Sequence, residues 1–279
     1  VLGIAQDGGV PQTGDADAPG WTDPARRRRV VSLGVVADGR RWLFEATPDL
    51  SEQLAHLDRA APRTGAAVLD GVFLTHAHIG HYTGLMFLGH ESLGARRVPV
   101  FAMPRMADFL RTNGPWSQLV RYENVEIREL ADGVPVPLAE GLTVTPFVVP
   151  HRQEFSEVVG YRIDGPRRSV LFIPDIDSWR EWDEAGTRLD DVLATVDLAY
   201  LDATFYANDE IPGRDMSGFP HPFITTTMAR LADLPASERA KVRFIHLNHT
   251  NPALWPGPAR EAIEAAGMRV AAEGERVGL

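Results

Sequence analysis

Short apolar runs separated by polar turns set the pattern of this chain, and two periods recur in it. Val1–Ala5 reads as a strand running into the turn-rich loop Gln6–Pro11. Val30–Val36, an Asp38-Gly39 turn and Arg41–Glu45 read as a β-hairpin, because Asp-Gly between apolar runs favours a tight turn. Leu50, Leu54 and Leu57 follow Pro48-Asp49 at helical spacing, with acidic residues in the first turn, and predict a helix. Further helices are predicted over Arg105–Thr112, Asp177–Glu184, Thr225–Ala232 and Pro258–Ala266.

Between these helices one motif repeats: an apolar run stops abruptly at a histidine or a carboxylate. Val72-Phe73-Leu74 leads to His76, Val144–Val149 to His151, Ser169–Ile173 to Asp175, Asp197–Leu201 to Asp202, and Val242–Ile245 to His246. Side chains at the ends of neighbouring strands can converge on one rim of a sheet, where loops carry chemistry over a rigid scaffold. The alternation of strands and helices, with no repeat or low-complexity tract, predicts a single α/β domain over residues 1–279.

Composition narrows the function. With 28 Lys+Arg against 38 Asp+Glu the net charge is −10, which opposes attraction to a long phosphate backbone. A small-molecule substrate is expected rather than long nucleic acid. No apolar run approaches the roughly 20 residues that span a bilayer, so no membrane partner is expected. A homodimer is left open as the assembly. The chain opens on Val1, so both a cytoplasmic location and export after removal of a leader are kept as readings. There is no cysteine, so any metal must be held by His, Asp or Glu. The run Arg26–Arg29 is read as a solvated stretch before a strand, with a substrate-guiding patch as the alternative.

His76 and His78 share a face of an extended loop, and His81 lies a turn further on. Imidazoles so close together suit a first-row metal. His249, three residues past His246, is a candidate to face substrate or to support a ligand. His56 and His90 read as surface and structural residues. Tyr82, Phe205, Tyr206 and Trp255 are candidates to wall a pocket, though such aromatics more often belong to a core.

The segment Thr75-His76-Ala77-His78-Ile79-Gly80-His81-Tyr82-Thr83-Gly84 resembles the HxHxDH signature of the metallo-β-lactamase superfamily. His151, Asp175 and His246 follow in that superfamily's order. The resemblance implies an α/β fold, an αββα four-layer sandwich of two mixed β-sheets flanked by helices. It implies a first metal held by His76, His78 and His151, with Asp175 bridging to a second held by His81 and His246. One or two divalent ions are expected, zinc first, with manganese or iron as alternatives. Val1–Gln12, Ala46–Ser51 and His246–Pro252 are similar to the family of pyrroloquinoline-quinone synthesis protein B and its metallo-hydrolase relatives. In those relatives a cysteine cluster for structural zinc often follows the first loop; Thr13–Trp21 has none. Leu201-Asp202-Ala203-Thr204-Phe205, with Gly218-Phe219-Pro220-His221, resembles the phosphodiesterase branch that includes RNase Z. That likeness implies His221 as general acid, oriented by Asp202. RNase Z activity itself is not expected, given the acidic charge and the lack of a basic, Gly-rich arm.

Gly80 departs from the superfamily's pattern, which has a metal-binding aspartate there. The departure predicts a weaker or empty second site, unless Asp7 in its glycine-rich loop substitutes. The function expected is a metal-dependent hydrolase in which metal-bound hydroxide attacks a small ester, a phosphodiester ahead of a lactone. The alternatives are an oxidative enzyme resembling the quinone-synthesis protein, in which one redox metal activates oxygen, and a non-catalytic relative that binds metal or ligand.

Overall fold

A computed structural model describes all residues, Val1–Leu279. Twelve strands form two sheets. The first holds β1 (Leu33–Ala37), β2 (Arg40–Phe44), β3 (Gly71–Phe73), β4 (Val98–Ala102) and β5 (Val125–Glu129), side by side in that order. Its β1–β2 pair is antiparallel and the rest parallel. The second holds β6 (Val136–Ala139), β7 (Leu142–Val148), β8 (Val159–Asp164), β9 (Ser169–Ile173), β10 (Leu198–Asp202), β11 (Val242–Ile245) and β12 (Arg269–Val270), again in sequence order. There β6 to β9 are antiparallel and β9 to β12 parallel.

Alternation along the first sheet explains the layering. On β2, Trp42 and Phe44 join the core between the sheets while Leu43 faces the other way; on β3, Phe73 joins the first core and Val72 the second. Period-two side chains thus serve two cores at once, as expected for a sheet covered on both faces. Between the sheets Phe73 stacks on Phe44 and on Phe101, with ring centroids 5.0 and 4.3 Å apart, and Tyr161 meets Phe44 edge-on at 5.3 Å. Each such buried ring stabilises the fold by about 1.5–3 kcal/mol. The outer core is closed by helix Leu50–Ala60, through Leu50 and Leu57, and by helix Pro104–Thr112, through Met106 and Leu110.

Most predicted elements lie within one or two residues of the observed ones. Two differ for physical reasons. Val1–Ala5 forms no strand but isolated bridges, Gly3 to Ser32 and Ala5 to both Val30 and Leu247. Gly3 lies so close to this neighbour that a Cβ there would stand 1.9 Å from the Val30 carbonyl oxygen. The helix expected from Asp177 begins at Trp179, because Ser178 caps it by accepting from Glu181 N at 3.1 Å. Asp177 is thereby free for the site. No helix is long and apolar enough to cross a membrane.

The topology explains why the reactive side chains meet. Strands β9, β10 and β11 run parallel as neighbours, and β7 points the same way across the antiparallel β8. Their carboxyl ends therefore open on one rim, the position at which α/β sheets present ligand sites. The end of β3 brings the histidine loop to the same rim from the first sheet.

Candidate metal centre

At that rim the structure gathers His76, His78, His81, His151, Asp175, His221, His246 and Asp7. His76, His78 and His151 form one group and Asp7, His81 and His246 another, each with one potential ligand atom per residue within 4.8 Å of the others. Asp175 lies between them. Its Oδ2 stands 2.9 Å from His81 Nε2, 3.4 Å from His246 Nε2 and 3.8 Å from His76 Nε2, and its Oδ1 3.8 Å from His151 Nε2.

Partners behind each imidazole set which nitrogen faces inward. Thr75 donates its hydroxyl proton to Glu45 Oε1 at 2.6 Å, so His76 Nδ1–H donates to Thr75 Oγ1 at 2.8 Å. His151 Nδ1–H donates to Asp177 at 2.7 Å and His78 Nε2–H to Glu154 at 3.1 Å. His246 Nδ1–H donates to Thr204 Oγ1 at 2.9 Å, and Thr204 in turn to Asp202 Oδ1 at 2.8 Å. This is the outer scaffold that fixes tautomer and ring orientation in metal sites. It leaves Nε2 of His76, His151 and His246, and Nδ1 of His78, turned toward the centre. Glu45, Thr75, Glu154, Asp177 and Thr204 were not expected as site residues. The nearest sequence signal is adjacency: Thr75 precedes His76, and Glu45 directly follows β2.

A metal fits this arrangement. His76 Nε2 and His246 Nε2 are buried without any hydrogen-bond partner, a costly state for polar atoms unless something occupies the space between them. Burial, with neighbouring imidazoles, pushes the His76 pKa well below its ordinary value, and burial lowers that of His78; both are thus neutral, as ligation requires. Burial opposes ionising Asp7 and Asp175, yet the imidazoles around them hold both carboxyls well below the usual range. His81 also resists charge through burial, but Glu45, Asp175 and Asp7 crowd it and raise its pKa well above the ordinary value. Buried negative charge of this density calls for a compensating cation. His246 holds φ +66° and Glu45 φ +71°, left-handed conformations in residues other than glycine, of the kind that cluster at functional sites.

Gly80 lies against Asp7. A Cβ at Gly80 would stand 2.3 Å from Asp7 Oδ1, so the Asp7 carboxylate occupies the room a residue-80 side chain would need. Asp7 Oδ1 is 3.0 Å from His81 Nε2 and 3.5 Å from His246 Nε2.

His221 sits 8% exposed beside the cluster, its Nδ1–H donating to Asp202 Oδ2 at 2.8 Å. Asp202 also accepts from Ile176 N and Thr204 N. Burial works against protonating His221, but Asp202 outweighs it and raises the pKa. Phe205 and Phe219 pack beside it, with ring centroids 5.4 Å apart. His249 is half-buried, with Nδ1 on Asn248 Oδ1 at 3.0 Å, and joins neither ligand group. His56 lies on its helix surface and His90 stacks on Tyr122 at 4.9 Å. Tyr82 belongs to the outer core.

Two facing mixed sheets, flanked by helices, with a rim of histidines and carboxylates define a protein of the metallo-β-lactamase fold. Residues 40–247 match the model of the beta-lactamase superfamily domain. Coenzyme PQQ synthesis protein B of Xanthomonas axonopodis pv. citri is 31% identical over 100% of this chain and 99% of its own length. Zinc-bound PqqB from Methylobacterium extorquens superposes with TM-score 0.80 at 25% identity, covering 100% of this chain and 98% of that one. A diphosphatase of the PhnP family shares the fold, with TM-score 0.65 at 23% identity over 98% of this chain and 93% of its own. The chain belongs to the beta-lactamase superfamily and, within it, to the family of coenzyme PQQ synthesis protein B.

Proposed function

We propose that this chain is a metal-dependent hydrolase of a small ester, a phosphodiester ahead of a lactone, with two adjoining metal sites. The observation that carries this reading is the join of His76–His78–His151 to Asp7–His81–His246 through Asp175. Asp7 supplies the carboxylate that Gly80 lacks, so the second site is complete rather than weakened. Bound there, divalent metal would lower the pKa of water toward neutrality and polarise a phosphoryl or carbonyl oxygen.

The protein's own groups do the rest. The outer partners of the histidines hold each donor nitrogen in place. His221, whose pKa Asp202 raises above the ordinary value against the opposing effect of burial, gives its proton from Nε2 to the departing alkoxide as general acid. Phe205 and Phe219 exclude water beside it. Turnover of a panel of phosphodiesters and lactones by the zinc- or manganese-loaded protein, lost in His221→Ala while metal is retained, tests this reading; turnover unchanged in that variant sinks the role of His221.

A second reading has one specific support. Asp7, His81 and His246 are two histidines and a carboxylate, the donor set of non-haem iron oxygenases, and the relatives named for coenzyme PQQ synthesis suggest a substrate on the way to a quinone. Tightly held iron with oxygen uptake would favour oxidation; ester turnover with zinc or manganese favours hydrolysis.

A further inference from the structure

The arginine run Arg26–Arg29 precedes β1; Arg26 and Arg27 are exposed, as a solvated stretch would be, while Arg28 and Arg29 are half-buried. Arg29 pairs with Glu273 at 2.6 Å, but Arg26 and Arg28 turn instead to Trp255, with guanidinium carbons 5.0 and 4.4 Å from its ring centroid. Neither has a carboxylate within ion-pair distance, in a chain of net charge −10. Arg28 is pinned by donating to the carbonyl of Ala25 at 2.9 Å, while the Arg26 guanidinium has no hydrogen-bond partner. Arg260 is fixed nearby on the carbonyl of Ala253 at 2.8 Å. Burial, followed by repulsion between Arg28 and Arg260, depresses the pKa of Arg260, and burial likewise lowers that of Arg28.

Of these groups Arg26 and Trp255 border a pocket of about 90 Å³, lined also by His249, Val10 and Pro11; Arg28 reaches it only through its stacking on Trp255. A space of this size exceeds what a single water needs and admits one small anionic group. Its walls continue the two segments that carry the metal centre. Val10 comes three residues after Asp7 and His249 three after His246, and the segments are tied by Gln6 N donating to Leu247 O at 2.8 Å. Asp15 also lines the pocket, beyond ion-pair distance of Arg26, and Glu273 is already engaged by Arg29.

We propose that Arg26 and His249 around Trp255, with Arg28 stacked on the same ring, form an anion subsite beside the metal centre, which takes a carboxylate or phosphate group of the substrate. Stacking on Trp255 holds the guanidinium groups in place before the anion arrives, so little side-chain freedom is lost on binding. The subsite rests on the reading that substrate is processed at the adjoining centre, but its binding step needs no metal.

The test follows the arginine Nε–Hε resonances of the full chain during titration with inorganic phosphate and, separately, with succinate, in metal-loaded and metal-stripped protein. Saturable shifts at Arg26 and Arg28 in both forms are expected. In Arg26→Gln and Arg28→Gln, which keep an amide donor and lose the charge, the affinity is expected to be about tenfold weaker, the effect of losing one charge-assisted hydrogen bond. The anion that binds tighter identifies the substrate group. Shifts that fail to saturate with either anion, or that persist unchanged in both variants, overturn the subsite. So does a response that vanishes on metal removal, since the anion would then sit on the metal. Loss of ester turnover with these shifts intact would count against the hydrolase reading alone.

Discussion

Asp7 and Gly80 share one place in this protein: a Cβ on Gly80 would lie 2.3 Å from Asp7 Oδ1 and 2.5 Å from Asp7 Cα. In the proposed two-site reading, Asp7 on the amino-terminal loop stands in for the carboxylate that Gly80 lacks on the histidine loop. Because the second contact is with backbone, the exchange is not reversible by a side-chain swap.

Gly80→Ala is therefore expected to destabilise the fold by about 1–3 kcal/mol, the usual cost of overpacking. The loop of Asp7 cannot retreat freely, being held by Gln6 N on Leu247 O and by Gly9 N on Gln6 O. A lower melting temperature and reduced metal content should appear together. Gly80→Asp combined with Asp7→Gly should not restore the second ion, because the Cα of residue 7 still stands in the way. Wild-type stability in Gly80→Ala would show that the loop yields.

Thr204 offers a sharper test of the outer scaffold. Its hydroxyl accepts from His246 Nδ1 and donates to Asp202. Thr204→Val keeps the shape and removes both bonds, and is expected to weaken metal affinity roughly 10–100-fold, as loss of such partners does elsewhere. Competition against a chelator of known affinity reads the change; an unaltered constant would mean that Thr204 does not orient His246.

Asp202→Asn separates proton donation from metal binding. The variant keeps a hydrogen-bonding group beside His221 but loses the charge that raises its pKa. The acidic and alkaline limbs of kcat against pH should draw together as the alkaline limb, set by His221 losing its proton, moves down. An unchanged alkaline limb would assign that limb to another group.

How much of this was legible in the sequence follows from the range of each interaction. The His76–His81 spacing and the endings at His151, Asp175 and His246 are local patterns, set by strand period and by where an apolar run stops. The donors behind them are not. Thr75, Glu45 and Asp177 acquire their roles only when β2, β3, β7 and β9 come to one rim, and adjacency to a ligand or to a strand end does not by itself mark them. Asp7 lies between: its loop stood out for glycine, but its contact with Gly80 spans more than seventy residues. Val1–Ala5 read as a strand because it is apolar; tertiary contacts with Val30 and Leu247 reduce it to bridges.

Away from the site, buried Arg41 pairs with Asp58 at 2.5 Å. Burial opposes ionisation of Asp58, but hydrogen bonds from Arg41 and Arg63 lower its pKa. A carboxyl depressed in the folded state stabilises it above the unfolded value of about 3.9, and that contribution is lost as pH falls through the folded value. Urea midpoints of wild type and Asp58→Asn should differ near neutral pH and converge in acid. A difference that persists unchanged in acid would contradict the assignment.

Metal stoichiometry after exhaustive dialysis is the most direct test of the two-site centre. Wild-type protein is expected to retain two ions per chain, and Asp7→Ala one, with His76, His78 and His151 still occupied. One ion per chain in both proteins, or two in both, would contradict the claim that Asp7 completes the second site.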